Sequence, residues 1–257
     1  MRIINLISPE NLSAEKSKHF FYKNLPRFLR RFYDKLDNRI FAWKYRHHAD
    51  NRKLKWDWKA TPYNRIALVN LLIGKFTKAK YLEIGCAGNY LFNAVYVEDK
   101  TGVDPASGGN VKKTSDDFFK TSKDKFDVIF IDGLHTYDQV RRDVINSIKH
   151  LKEGGYIALH DMLPGDWKEQ HIPIITGGVW TGDVWKVGFE LAQSEGIDFK
   201  ILRIDYGVGV FRLTKKNVVL RDFTSKLQDK QFSYFYDNLK KLPIIDWPTA
   251  EKWLRSS

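Results

Sequence analysis

Apolar positions along this chain change their spacing several times, and each change predicts an element. After Pro62, Ile66, Val69, Leu72 and Ile73 recur at helical spacing. Lys80-Tyr81-Leu82-Glu83-Ile84 is a short apolar run with one acid, broken by Gly85-Cys86-Ala87-Gly88 before a new apolar pattern begins near Tyr90. That sequence predicts a buried strand turning sharply into a helix, with the backbone bared at the turn. Asp104, in Thr101-Gly102-Val103-Asp104-Pro105, ends the next strand, and Ser107-Gly108-Gly109-Asn110 reads as a loop. Val111 to Thr114 is a candidate short strand, and Ser115-Asp116-Asp117-Phe118-Phe119 a capped helical turn. Phe126-Asp127-Val128-Ile129-Phe130-Ile131 has the β-branched, largely apolar composition of a parallel strand buried on both faces, and it ends at Asp132-Gly133. Thr136-Tyr137-Asp138-Gln139 has the pattern of a capping box opening a helix with Val140, Val144, Ile148 and Leu151 on its buried side. Gly154-Gly155 is the expected stop, and Tyr156-Ile157-Ala158-Leu159 is the next strand, ending at His160-Asp161.

A loop bearing glycine, proline and tryptophan runs on to Trp180, with Trp167, His171 and Trp180 as its distinctive side chains. It predicts a cover over the strand ends. A helix is expected from about Asp183 to Glu195, then strands near 199–204 and 208–213, close enough in sequence to pair as an antiparallel hairpin. Leu227, Phe232, Phe235 and Leu239 predict one helix from about Ser225 to Lys241, and Trp247 and Trp253 would dock the C-terminal tail or support a homodimer. Strands alternating with helices give an α/β fold: an open, doubly wound, mostly parallel, Rossmann-like sheet with a terminal antiparallel hairpin. The chain divides into a basic helical N-terminal extension (1–79), a ligand-binding domain (80–213) and a helical tail (214–257).

Composition narrows the class. At 257 residues, 43% hydrophobic and 29% charged, the chain is globular, and no apolar run approaches the ~20 residues that span a bilayer. The start of the chain, Met1 to Pro9, has an apolar core shorter than the roughly 7–15 residues of a signal peptide. Cys86 is the only cysteine, so no internal disulfide forms, and a cytoplasmic location is expected. The net charge of +12 favours acidic partners, and essentially all of the excess precedes the glycine turn. There, basic and aromatic residues interleave. Leu25, Phe28, Leu29 and Phe32 fall at helical spacing, which favours a structural helical cap over a nucleic-acid surface.

In an open α/β sheet, ligands bind outside the carboxyl ends of the strands, where this reading puts Glu83, Asp104, Asp132 and Asp161 on one rim. A glycine turn lets a ligand approach the backbone, the helix after it offers free N–H groups, and an acid about 20 residues on can grip ribose hydroxyls. Asp104 stands at that distance.

The motifs Glu83-x-Gly85-Cys86-Ala87-Gly88, Gly102-Val103-Asp104-Pro105, Thr114 to Phe119, Ile131-Asp132-Gly133-x-His135 and Gly155 to Met162 resemble those of class I S-adenosylmethionine-dependent methyltransferases, in the small-molecule and sugar O-methyltransferase branch. That branch is often found with surface-polysaccharide or natural-product pathways. The resemblance implies that Glu83, Gly85, Cys86, Ala87 and Gly88 hold the methionine end of the cofactor and that Asp104, followed by Pro105, takes the ribose. It puts Ser115 and Asp116 near the adenine, and Asp132 at the cofactor's methyl. His135 would be the general base, with Asp132, His160 and Asp161 around it and His160 the competing base. Ala87 and Asn89 depart from the family's commonest glycine pattern. Metal-dependent members carry Asn or Asp where Met162 follows Asp161, so Mg²⁺ on Asp132 and Asp161 is the alternative to a protein base. The implied acceptor is a small, anionic molecule such as a sugar nucleotide or glycan precursor. Two rivals are a nucleic-acid-binding or nucleic-acid-methylating protein and a nicotinamide-dependent oxidoreductase. The first has no contiguous recognition motif here, and the second lacks the full G-x-G-x-x-G fingerprint.

Overall fold

In the computed structural model, which describes residue 26 and residues 38–256, the short apolar runs become strands of a single sheet. They are β1 (Lys80–Ile84), β2 (Asp99–Val103), β3 (Phe126–Ile131), β4 (Leu151–Leu159), β5 (Ile197–Leu202), β6 (Val208–Leu213) and β7 (Ile244–Ile245). Their spatial order is β2-β1-β3-β4-β6-β5-β7. β6 pairs antiparallel with both β4 and β5, and the other pairs are parallel. Beyond a helical stretch at 38–44 and a 3₁₀ turn (Arg46–His48), the described α-helices are α1 (Arg65–Ile73), α2 (Tyr90–Ala94), α3 (Ser115–Thr121), α4 (Tyr137–His150), α5 (Trp185–Ala192), α6 (Thr224–Leu227), α7 (Phe232–Asn238) and α8 (Trp247–Arg255).

Alternation along the strands builds a core on each face. Leu82, Ile129, Ile131, Ile157 and Leu159 pack with Val140 and Val144 of α4 and Val187 and Leu191 of α5. Tyr81, Val128, Phe130, Tyr156 and Ala158 pack with Leu68 and Leu72 of α1 and Ala250 and Leu254 of α8. β3 is buried at all six residues, as its composition predicts for a central parallel strand.

Register decides where the site falls. Ile84 pairs with Val103 and Ile131, and Ile131 pairs with Leu159, so four strands end level. The next residue of each strand, Gly85, Asp104, Asp132 and His160, therefore stands on one rim.

Several expected elements differ. The candidate strand from Val111 is a single parallel bridge to Val103. Helix α4 stops at His150, and Leu151 is already in β4, paired with Phe126. The register shifts between Phe126 and Val128, so Gly154 and Gly155 lie inside a bulged strand instead of ending a helix. A Cβ on Gly155 would come within 2.7 Å of the Asp127 carbonyl oxygen. The capping box does not form: Thr136 makes no side-chain cap, its own N–H donates to the Leu134 carbonyl at 2.8 Å, and the Gln139 amide turns to Ser115 Oγ and Asp143 Oδ1, both at 3.1 Å. Helix α5 is shorter than expected at both ends, and β5 starts two residues early. The predicted helix 225–241 is split into α6, α7 and a 3₁₀ turn (Leu239–Lys241). At the break the buried Lys186 ammonium donates to the Gln228 carbonyl at 2.7 Å, taking an acceptor a continuous helix would use. The tail docks on its own chain: Trp253 Nε1 donates to Asp198 at 2.9 Å, and Trp247 stacks on Tyr63. Leu25, Phe28, Leu29 and Phe32 lie outside the described residues, within which no helix is long and apolar enough to cross a membrane.

Candidate active site

The glycine turn is tied down from below and behind. Gly85 has φ of 85°, and a Cβ there would sit 2.1 Å from the Asp132 carbonyl oxygen, so only glycine lets β1 and β3 end so close together. Ala87 and Asn89 adopt left-handed φ of 43° and 63°, a region that favours glycine. Asn89 is compensated because its Oδ1 accepts from Gly109 N at 2.6 Å, which joins the turn to the loop after β2.

Asp104 completes the joint. Its Oδ2 accepts from Cys86 N at 3.1 Å and Ala87 N at 2.9 Å, while Oδ1 accepts from Ala106 N at 2.9 Å and Ser107 N at 2.7 Å. Burial opposes ionisation, but the four N–H groups hold its pKa below the usual carboxylate range. The carboxylate thus shapes the turn, and a ribose hydroxyl would share oxygens that already have backbone donors.

Glu83 lies at the floor, 2% exposed, accepting from the Tyr81 hydroxyl at 2.7 Å. Burial outweighs that hydrogen bond and pushes its pKa up to about 7. The Cys86 thiol is buried and its pKa strongly raised, by burial first and then by Glu83 and Asp104, so it is inert near neutral pH.

Past the ends of β3 and β4 the charged groups converge. His135 Nδ1 is 3.0 Å from Asp161 Oδ2 and its Nε2 is 3.3 Å from Asp132 Oδ1. The Nδ1 contact lacks hydrogen-bond geometry, which leaves that buried nitrogen unpartnered. Burial disfavours an imidazolium, but the two carboxylates overcome it and lift His135 to about 10. Donor atoms of Asp132, His135 and Asp161 all lie within 4.8 Å of one another. Asp161 itself has φ of 62°, a conformation that costs of order 1–3 kcal/mol in a non-glycine residue and collects at functional sites. The hydrogen bonds from Met162 N to Gly207 O and Leu163 N to Tyr206 O hold it there.

His160 is 6% exposed and enclosed. Its Nδ1 is 3.2 Å from both Asp132 and Asp161, and Arg65 Nη1 approaches Nε2 to 2.6 Å. Burial opposes a charged ring and the carboxylates favour one. Arg65 Nη1 also lies 2.9 Å from Nδ1, so whichever ring nitrogen lacks a proton has its lone pair filled by the guanidinium. Asp205 then ties Arg65 in place, accepting from its backbone N–H at 3.2 Å and pairing with its Nε at 3.5 Å.

These groups line one cleft of about 1170 Å³ with Gly85 to Gly88, Pro105, Ser115, Gln139, Trp180 and Tyr206. Trp180 stacks on His135 with ring centres 5.2 Å apart. Gly182 permits this, since a Cβ there would lie 1.8 Å from the His135 carbonyl oxygen. Trp167 and His171, expected on a covering loop, are instead buried, and only 177–180 border the cleft. Asp116 is outside the lining; it pairs with Arg142 at 3.5 Å while Ser115 faces inward. Arg65, Gln139 and Tyr206 were not evident from sequence. Arg65 follows the Asn64 cap of α1, Gln139 begins α4, and Tyr206 sits in a hairpin turn with φ of 62°.

Residues 82–162 match the family model of a methyltransferase domain. Residues 82–162 carry a methyltransferase domain. The match runs from β1 through Met162, and so includes the glycine turn, Asp104, Asp132, His135, His160 and Asp161. Among curated proteins, nothing matches the chain. Among solved structures, the SAH-bound methyltransferase PaMTH1 of Podospora anserina is similar at 17% identity, over 82% of this chain and 99% of that one, with a TM-score of 0.46. An O-methyltransferase of Bacillus cereus in complex with SAH shares 14% identity over 61% of this chain and 83% of that one, TM-score 0.44. MycE, from mycinamycin biosynthesis and in complex with Mg, SAH and mycinamycin VI, shares 15% over 56% and 47%, TM-score 0.37.

Proposed function

We propose that this methyltransferase methylates a hydroxyl group of a small acceptor, a sugar nucleotide or glycan precursor being the class that suits it. The observation that carries the reading is the meeting, in one cleft, of the glycine turn and Asp104 with the Asp132, His135 and Asp161 trio. Glu83 and the turn 85–88 are assigned to the methionine end of S-adenosylmethionine, Asp104 and Pro105 to the ribose, and Ser115 to the adenine. An acidic floor suits a sulfonium cofactor, since opposite charges attract across a partly dehydrated cleft.

The acceptor hydroxyl is assigned to the trio. With His135 held as an imidazolium it cannot take a proton, and His160 has no free lone pair. A divalent cation in place of that proton fits the donor set, because His135 Nδ1 is buried without a hydrogen bond and two carboxylate oxygens converge on it. When bound, such an ion would lower the acceptor's pKa and orient it. Two carboxylates and an imidazole suit Mn²⁺, Fe²⁺ or Zn²⁺ better than the all-oxygen preference of Mg²⁺. Met162 is fully buried against Gly209, so His135 takes the third position that a polar residue after Asp161 would fill.

The test is thermal shift and calorimetry of the full chain with S-adenosylmethionine, S-adenosylhomocysteine and NAD, with and without Mn²⁺. Stabilisation by the first two and none by NAD is expected. The reverse order would replace this reading with the oxidoreductase one.

A further inference from the structure

Among the residues that line the cleft, Arg65 is the one lysine or arginine. It opens α1, which packs on the face of the sheet opposite α4, so it reaches the strand ends from the side opposite the helix that follows His135. Two edges of its guanidinium are held by the fold. Nη1 lies 2.6 Å from His160 Nε2 and 3.6 Å from Asp132 Oδ2, and Nε pairs with Asp205 Oδ2 at 3.5 Å. The third edge is left over: Nη2 makes no hydrogen bond among the described residues, and the side chain is 24% exposed. A planar fork fixed in orientation, with donors still available, suits a carboxylate or another planar anion.

Strand order decides which end of a ligand Arg65 meets. Asp104 follows β2, Gly85 follows β1, and Asp132 and His160 follow β3 and β4, in the spatial order β2-β1-β3-β4. A nucleoside with its ribose at Asp104 and its chain laid over the Gly85 turn therefore extends towards the β3 and β4 ends, where Arg65 stands. The field of Arg65 also reaches Glu83 and favours its ionised form, so the two oppositely charged groups share that end of the cleft. Other donors for an anion are mostly committed there. The N–H groups of Gly85, Cys86, Ala87 and Asn89 already have acceptors within the fold. At the start of α1 the Arg65 N–H goes to Asp205, and those of Ile66 and Ala67 go to the Asn64 cap.

We infer that Arg65 binds the α-carboxylate of the cofactor's methionine moiety, opposite the ammonium assigned to Glu83. This rests on the S-adenosylmethionine reading above and adds to it a binding residue from outside the 80–213 domain. The cofactor ends in a zwitterion, and an acid and a guanidinium at one end of the cleft match its two charges. Because the ligand brings its own ammonium, seating its carboxylate near Asp132 and Asp205 adds no net charge to the cleft. Those same neighbours keep the guanidinium oriented, so little side-chain freedom is lost when the ligand arrives.

The test is calorimetry of the full chain with S-adenosylhomocysteine and with its decarboxylated analogue, which keeps the ammonium and the adenosine. Wild type should bind the first about ten-fold or more tightly than the second, the scale of one charged hydrogen bond. In Arg65→Gln that preference should vanish: S-adenosylhomocysteine weakens about ten-fold or more, and the decarboxylated ligand stays within about three-fold. Releasing His160 and Asp205 from Arg65 acts on both ligands alike and cancels in the ratio of their affinities. Arg65→Lys keeps a cation beside Asp132 and Asp205 but loses the fork, and it carries the test where Arg65→Gln does not fold; it should cut the preference by at least about three-fold. Equal affinity of wild type for the two ligands overturns the proposal. So does a preference undiminished in either variant, which would make Arg65 a residue that only holds the fold. Wild type that binds neither ligand would instead refute the S-adenosylmethionine reading itself.

Discussion

Glu83→Gln separates what the cleft floor costs the fold from what it does for the ligand. Burial holds Glu83 near pH 7 against an ordinary 4.5. The folded state therefore binds its proton more tightly than the unfolded chain, and stability falls as pH rises between those values. A gap of about two and a half pKa units corresponds to about 3 kcal/mol in full, of which about 2–3 kcal/mol should develop between about pH 5 and about pH 8. Glutamine keeps an acceptor for the Tyr81 hydroxyl, 2.7 Å away, and carries no charge. The variant should be the more stable protein at pH 8 by roughly that amount, with the difference shrinking towards pH 5. Urea unfolding of both proteins at four pH values measures it, and taking the difference cancels His135 and Asp143, which titrate in both. Affinity should move the other way. If Glu83 pairs with the cofactor's ammonium, losing a charged hydrogen bond should weaken S-adenosylhomocysteine about ten-fold or more. A stability difference that does not change with pH would refute the account of Glu83 as a carboxylate destabilised by burial.

Ala87→Gly relieves a left-handed alanine at φ of 43° and should raise stability by about 1 kcal/mol, read as a shift of the urea midpoint with unchanged slope. Asp104→Asn keeps the shape but loses the charge that four N–H groups favour, so it should lower both stability and S-adenosylhomocysteine affinity; a loss of affinity alone would show that Asp104 acts only on ligand. His135→Ala should abolish Mn²⁺ binding followed by electron paramagnetic resonance while sparing S-adenosylhomocysteine, whereas an imidazole that only hydrogen-bonds would leave Mn²⁺ affinity unchanged. Gly182→Ala drives a methyl into the His135 carbonyl and should displace Trp180, seen as altered tryptophan emission, with cofactor affinity held within about two-fold.

The parts of the fold that were legible are those where one local signal had one meaning. β3 is apolar at five of its six positions, so only a strand buried on both faces accommodates it, and β6 falls within the boundaries its alternation predicts. Glu83, Asp104, Asp132 and Asp161 were legible together, because strand ends in a parallel sheet share a rim whatever the details of register. The misread boundaries are places where a tertiary partner outbid a local preference. The Gln139 amide that would close a capping box at Thr136 donates instead to Ser115 Oγ, 24 residues away. Lys186 splits the helix expected from Ser225, and no local pattern near Gln228 signals a buried ammonium.

The site's chemistry was less legible for a related reason: a side chain's protonation depends on what surrounds it, and its neighbours come from distant segments. His135 reads from sequence as a base with an ordinary pKa, yet Asp132 and Asp161 flank both of its nitrogens. Arg65 disqualifies His160 in the same way, from a helix 95 residues earlier that carries no motif. Net charge misleads similarly when taken as a property of the whole chain. The +12 invites an anionic ligand in the pocket, but the whole positive excess precedes β1, residues 80–257 balance at 25 of each sign, and the strand ends that make the pocket are acidic. What the sequence does carry locally is burial: Leu54 and Trp56 are laid against the loop after β4, where Leu54 N donates to Gly165 O and Trp56 Nε1 to Pro164 O, before the left-handed Asp57 turns the chain.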